Sequence, residues 1–143
     1  MSSRSLGVFA KAPIAGHVKT RLARDIGLEA AAALYRRLGR QVVSAVVGSG
    51  YRTVVWFTPL ARQAVVRDWL DGLGVTAYCP QAGGNLGTRL AYAFGRSFAA
   101  GDSAVVIIGT DAPGVNRHIV AAAFRALRAM TSCSDRRWMG GIT

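Results

Sequence analysis

Three short segments of this 143-residue sequence carry residues suited to binding a phosphate-containing ligand. The first, residues 9–22, holds Lys11, Lys19 and Arg21 around the loop glycine Gly16. It lies between an apolar run and a helical pattern, so backbone N–H groups and a helix dipole would add to the attraction of the cations for an anion. It lacks the Walker A glycine-lysine signature, and a solvated basic loop is the simpler alternative.

The second segment, residues 81–89, is rich in glycine. Gly84 and Gly87 would let the backbone approach a ligand closely. Arg89 would lie in the first turn of the following helix, where a cation is unfavourable unless an anion is bound. The alternative is a plain glycine-rich turn with a surface arginine.

The third segment contains Asp111, which follows the most strand-like run of the sequence and precedes Pro113. A carboxylate in this place is suited to holding a divalent cation, because Mg²⁺ usually takes one or two protein carboxylates together with phosphate oxygens. The alternative is an aspartate that caps a turn or the next helix.

Strand and helix patterns alternate along the chain. Apolar or β-branched runs predict strands at residues 6–10, 53–58, 75–79 and 103–108, and helical patterns cover residues 20–47 (broken near Gly27), 61–70, 88–99 and 117–129. In the longest of these helices Ala30, Ala33, Leu34, Leu38 and Val42 recur at three- and four-residue spacing. This order predicts an α/β fold of three layers, α/β/α, with a mostly parallel sheet. The three segments would then converge at the carboxyl ends of the strands.

Composition excludes several classes of protein. Hydrophobic residues make up 51% of the chain, which argues against disorder, and no apolar run approaches the roughly 20 residues that span a bilayer. The first residues show no signal peptide, so we expect a cytoplasmic protein without a membrane partner. Cys79 and Cys133 lack the spacing of a zinc site or a disulfide framework.

The net charge is +11, from 18 basic and 7 acidic residues. A GC-rich coding bias explains the many arginines as well as a polyanion-binding role does. We see no aromatic-interleaved basic stripe and no helix-turn-helix pattern, so we do not expect nucleic acid as a partner. Both lysines lie in the first segment, which favours a local anion site.

Together the segments resemble a nucleotide-diphospho-sugar transferase-like family, described as radical-SAM/selenodomain-associated transferase 1 and also called DUF2064. The family pattern F-x-K-x-P-x-x-G-x-V-K-T-R-L matches residues 9–22, and G-T-D-x-P matches residues 109–113. The pattern Q-x-x-G-D-L-G-x-R matches residues 81–89 except at Asn85, where the family usually has Asp. The resemblance extends over about residues 6–129.

The resemblance implies a GT-A-type fold and a glycosyltransferase that uses a nucleotide-diphosphate sugar and an unknown acceptor. It implies a substrate-binding set of Lys11, Gly16, Lys19, Arg21, Gly84, Asn85, Gly87 and Arg89. Asp111 would be the catalytic residue that anchors Mg²⁺ or Mn²⁺ across the diphosphate. Two alternatives stay open: a nucleotidyltransferase that uses a nucleoside triphosphate, and a non-catalytic basic module that binds polyanions.

Residues 130–143 depart from the family, whose D-V-V-L-G-P and D-G-G-Y patterns would follow here, and are neither periodic nor strand-like. Met and Trp have one codon each, which fixes part of the coding sequence. When each codon is read one base earlier, residues 130–131 and 138–139 must encode Asp, and residues 139–140 must encode Gly. These three residues have the spacing of the family patterns. We therefore hypothesise a one-base frameshift near Arg128–Met130, in the gene or its sequencing. The frameshift would divide the chain into an incomplete domain, residues 1–129, and an aberrant tail, residues 130–143. Whether this chain has enzymatic activity is left open. An early stop in the other frame of the genomic locus would contradict the frameshift hypothesis.

Overall fold

In the computed structural model, which describes residues 3–16, 18–48, 50–111, 114–131 and 140–142, strands and helices alternate. The strands are β1 Ser3–Lys11, β2 Arg52–Thr58, β3 Ala77–Pro80, β4 Asp102–Gly109 and β5 Gly140–Ile142. The helices are α1 Thr20–Ile26, α2 Leu28–Val46, α3 Gln63–Trp69, α4 Leu86–Ala99 and α5 Arg117–Thr131, with a 3-10 turn at Leu60–Arg62. No helix in these ranges is long and apolar enough to cross a membrane.

All five strands are parallel and form one sheet in the order β3-β2-β1-β4-β5. The central strand is β1, which pairs Phe9 with Trp56 of β2 on one side and with Gly109 of β4 on the other. The chain therefore builds outward through β2 and β3 and then returns to the opposite side of β1. Such a reversal opens a crevice between the carboxyl ends of β1 and β4.

Apolar side chains cover both faces of the sheet, as a parallel sheet between two helical layers requires. On one face Leu6 and Val8 of β1 pack with α2, α3 and α5. On the other face Trp56 and Ile107 pack against Phe94 of α4. The predicted three-layer α/β/α architecture is therefore confirmed.

The long helical segment breaks at Gly27, which has a φ of 92° and separates α1 from α2 as predicted. The buried side of α2 differs from the side that the spacing predicts. Of the five residues predicted to face the core, only Val42 is buried. The buried positions are Ala31, Ala32, Tyr35, Gly39, Val42, Val43 and Val46. The reason lies at Gly39, where a Cβ would clash with the ring of Trp69. The helix packs closely through its small residues, and Leu38 stays half-buried.

The tail, predicted to hold no strand, contributes β5. Gly140–Ile142 pairs with Val106–Ile108 of β4, and α5 continues to Thr131. The pairing has a simple physical reason: the outer edge of β4 presents backbone N–H and C=O groups that a short extended segment can satisfy. Residues 132–139 and 143 of the predicted tail lie outside the described part of the chain.

Candidate functional site

A cavity of about 480 Å³ opens where the strand order reverses, at the carboxyl ends of β1 and β4. Its walls include Lys11 and Lys19 from the first segment, Arg89 from the second and Asp111 from the third. The three segments therefore converge at one edge of the sheet, as the alternating pattern of strands and helices predicts.

An ion pair joins the first and third segments across this cavity. Nζ of Lys19 lies 2.8 Å from Oδ1 of Asp111, and the two side chains are 30% and 69% exposed. Lys19 has a φ of 51°, a left-handed conformation that no other non-glycine residue adopts in the described part of the chain. Such backbone conformations cost roughly 1–3 kcal/mol and cluster at functional sites. Because both partners are accessible, a ligand could separate them.

The second segment holds Arg89 against the cavity. Its Nε donates to the carbonyl of Gly84 at 2.9 Å, and its Nη1 donates to Oε1 of Gln81 at 3.4 Å. Gln81 is fixed in turn, because its Nε2 donates to the carbonyl of Trp56 at 2.8 Å. Two donor atoms of the guanidinium are thus engaged by the second segment, and the other N–H groups remain for a ligand.

Tyr35 of α2 links the ends of the two central strands. Its hydroxyl accepts from the backbone N–H of Lys11 at 3.0 Å and shares a hydrogen bond of 3.1 Å with Oγ1 of Thr110. The side chain is 6% exposed, and burial raises the pKa of Tyr35 above 10.0, against the opposing effect of the hydrogen bonds with Thr110 and Lys11. Tyr35 therefore stays neutral at physiological pH and sets the spacing of the two segments.

Replacing Tyr35 by phenylalanine is expected to lower the free energy of unfolding by about 1–2 kcal/mol, because the N–H of Lys11 and the hydroxyl of Thr110 lose a buried partner. The raised pKa gives the loss a pH dependence. The neutral hydroxyl is favoured in the folded state, so its contribution is complete below pH 10 and is lost as pH rises further. Urea unfolding at pH 7 and at about pH 11 measures both effects.

The matched control is Tyr92→Phe, at a tyrosine that is 43% exposed and for which the structure shows an edge contact with Trp56. It leaves the number of tyrosines equal in the two variants. Equal stability of the two variants at pH 7 would show that the hydroxyl of Tyr35 does not hold the two strand ends.

Other predicted binding residues lie outside the cavity walls. Gly16, Arg21 and Gly87 are exposed and do not line the cavity, so their roles stay predictions. Gly84 contributes its carbonyl to Arg89. Asn85 caps α4, because its Oδ1 accepts from the N–H of Thr88 at 2.9 Å, and this cap starts the helix at Leu86 rather than at the predicted position 88. Pro113, which completes the third motif, lies outside the described residues.

Replacing Asn85 by alanine is expected to cost about 1 kcal/mol of stability through the lost cap. The Asn85→Asp variant, which restores the residue usual in the family, keeps the cap and adds a carboxylate at the positive end of the helix dipole, so its stability should equal or exceed that of the parent. Thermal unfolding of the three proteins compares them. A cap role is excluded if alanine and aspartate have the same effect.

Sequence reasoning assigns no role to Tyr35, Gln81 or Thr110, although all three line the cavity. Gln81 and Thr110 could have been found, since each occupies a fixed position in a motif of the resemblance. Tyr35 gives no such signal, because it lies within a helix whose tight packing on α3 the spacing does not reveal.

Asp111 is the acidic residue that lines the cavity, and no group of three or more His, Cys, Asp or Glu in the described ranges could hold a metal ion. One exposed carboxylate suits Mg²⁺ or Mn²⁺ when phosphate oxygens of a ligand complete the coordination. Asp111 therefore suits a divalent cation that binds together with a phosphate ligand. Beside Asp111, that cation would take the position of the Lys19 ammonium.

Comparisons with known proteins find one matching family and a solved structure of similar fold. The profile of a family described as uncharacterized protein conserved in bacteria (DUF2064) matches residues 42–134. The crystal structure of a candidate nucleotide-diphospho-sugar transferase from Desulfovibrio desulfuricans G20 matches with a TM-score of 0.81 and 28% identity. The match covers 90% of this chain and 55% of that protein, so the chain spans about half its length. No curated protein matches the sequence.

Proposed function

The chain belongs to the DUF2064 family and shares the fold of a candidate nucleotide-diphospho-sugar transferase, and from this we propose that it binds the diphosphate of a sugar nucleotide between β1 and β4. Transfer of the sugar to an acceptor is the activity proposed for the complete site. The observation that carries the proposal is the arrangement of Lys11, Lys19 and Arg89 around one cavity that also contains Asp111.

The charges of the cavity suit a diphosphate. Lys11 and Lys19 supply ammonium groups, and Arg89 supplies a planar fork that can bind two phosphate oxygens at once. Arg21, which is exposed in the first turn of α1, would add positive charge near the opening of the cavity. Gly16, Gly84 and Asn85 belong to the two loops beside these cations, and Gly87 belongs to the first turn of α4. A bound nucleotide or sugar would contact the backbone there.

Asp111 would hold Mg²⁺ or Mn²⁺ against the diphosphate. When bound, the metal would neutralise the charge that develops on the departing nucleoside diphosphate. The residues of this chain would act in the same direction, because cations fixed by the fold stabilise that charge without reorganising. Tyr35 and Gln81 would hold Lys11 and Arg89 in place for this purpose.

The test is thermal unfolding with UDP, GDP, ADP and dTDP, each with and without Mn²⁺. A ligand at 100 times its Kd raises the stability by about 2.7 kcal/mol. We expect one nucleotide to give a shift that Mn²⁺ increases. Asp111→Asn should abolish the increase due to Mn²⁺, because the variant has lost the carboxylate that holds the metal.

The matched control is Asp68→Asn, an exposed aspartate of α3 away from the cavity, which should behave as the parent. Released nucleoside diphosphate would indicate glycosyl transfer, and released pyrophosphate a nucleotidyltransferase. Shifts with nucleic acid that fall steeply with salt and ignore Asp111 would instead identify a polyanion-binding module.

A further inference from the structure

A second cavity of about 410 Å³ adjoins the first. It lies between the segment of α2 from Leu38 to Ala45 and residues 114–116, which lead into α5. Lys19, Thr110 and Asp111 line both cavities. The Lys19–Asp111 ion pair is therefore a wall that the two cavities share.

The two cavities differ in charge. The first has Lys11, Lys19 and Arg89 against the single carboxylate of Asp111. The charged residues of the second are Lys19 and Asp111, which neutralise each other at 2.8 Å. An anionic ligand is thus attracted to the first cavity, whereas the second offers no net charge to an ion.

The remaining walls of the second cavity are aliphatic and amide groups. The aliphatic residues are Leu38, Val42, Ala45 and Val115, and the amides are Gln41 and Asn116. Oδ1 of Asn116 is engaged, because it accepts from the N–H of Ile119 at 3.1 Å, so the NH₂ group of that amide remains to donate. These walls suit a neutral ligand with an apolar body and a hydrogen-bonding group, in a volume typical of small-molecule sites.

We propose that the second cavity binds the acceptor of the sugar, a neutral alcohol with an apolar body, with its hydroxyl at the wall formed by Lys19 and Asp111. The inference rests on the proposed function, since an acceptor requires a donor in the first cavity. In the transfer, the bond between the anomeric carbon and the β-phosphate oxygen breaks, and its electron pair leaves with the nucleoside diphosphate. The alcohol oxygen forms the new bond to the anomeric carbon and releases its proton to water.

The test is a titration of the nucleotide-free protein, followed by amide NMR spectra. Cyclohexanol serves as the neutral alcohol, and cyclohexanecarboxylate serves as an anion of similar shape. Cyclohexanol should cause saturable shifts at Val42, Val115 and Asn116, and the carboxylate should not. Gln41→Trp and Ala45→Phe, which fill the cavity, should weaken binding at least tenfold. Ser44→Phe, at an exposed neighbour on α2 that does not line the cavity, should bind as the parent does.

A second titration separates the inference from the proposed function. The nucleotide identified above should bind Gln41→Trp with Mg²⁺ within about twofold of the parent, because Gln41 lies outside the first cavity. Gln41 is exposed, so this variant keeps the test valid should Ala45→Phe fail to fold. Absent cyclohexanol shifts, equal shifts with the carboxylate, or undiminished binding to Gln41→Trp would overturn the acceptor site while nucleotide binding stands. Cyclohexanol binding to a parent that binds no nucleotide would refute the proposed function and, with it, the acceptor role.

Discussion

Replacing Lys19 by methionine is expected to weaken nucleoside diphosphate binding about 10- to 100-fold, since a hydrogen bond from a charged group contributes roughly 1.5–3 kcal/mol. The same change should strengthen the binding of Mn²⁺ alone by about fivefold, because Asp111 loses an ammonium 2.8 Å away. This second effect is small because the pair is exposed to solvent. The two ligands should therefore respond in opposite directions to one substitution.

Calorimetry measures the affinity for the nucleoside diphosphate, and water-proton relaxation measures the affinity for Mn²⁺. Arg37→Met, at an exposed arginine of α2 that lines neither cavity, is the matched control and should change neither affinity. If Lys19→Met binds the nucleotide as tightly as the parent does, then Lys19 is not a phosphate ligand and the ion pair has only a structural role.

The second large effect is expected at the opposite end of the sheet. The carboxylate of Asp102 is fully buried, and it accepts from Nη2 of Arg52 at 2.7 Å and from Oγ of Ser3 at 2.8 Å. Arg52→Met should lower the free energy of unfolding by about 3 kcal/mol, because it leaves a buried charge without its cation. Asp102→Asn should cost less, about 1 kcal/mol, since Arg52 is 42% exposed and can be solvated.

Urea unfolding at pH 7 compares these variants with Arg62→Met, an exposed arginine of the 3-10 turn. The asymmetry between the two partners is the decisive result. Equal losses for Arg52→Met and Asp102→Asn would mean that the carboxylate is not isolated from water in the folded protein.

The fold could be predicted from the sequence where burial determined the pattern. The apolar runs within β1, β2 and β4 are buried, and Gly27 marks the break in the helical segment, so these elements were predictable. β5 was not, because two glycines carry no strand preference and the pairing depends on the free edge of β4. The predicted start of α4 was wrong because Asn85 was assigned to the glycine-rich segment, whereas its side chain caps the helix by accepting from the N–H of Thr88.

The candidate site was predictable in outline and not in detail. Parallel strands bring their carboxyl ends together, and this rule alone brings Lys19, Arg89 and Asp111 to one cavity. The direct contact of Lys19 with Asp111 depends on a left-handed backbone at Lys19, which residue type does not predict. The link through Tyr35 depends on how closely α2 packs on its neighbours, and that follows from Gly39 and Trp69 together.

The central position of β1 also bears on how the chain reaches its folded state. Its pairing with β2 joins Phe9 to Trp56, whereas its pairing with β4 joins Phe9 to Gly109, 100 positions further along the chain. Closing the longer loop carries the larger entropy cost, so we expect the contact of Lys19 with Asp111 to form after the first β-α-β unit has assembled. Interactions that form after the rate-limiting step retard unfolding and leave the folding rate unchanged. A ligand bound between β1 and β4 would thus extend the lifetime of the folded chain without guiding its formation.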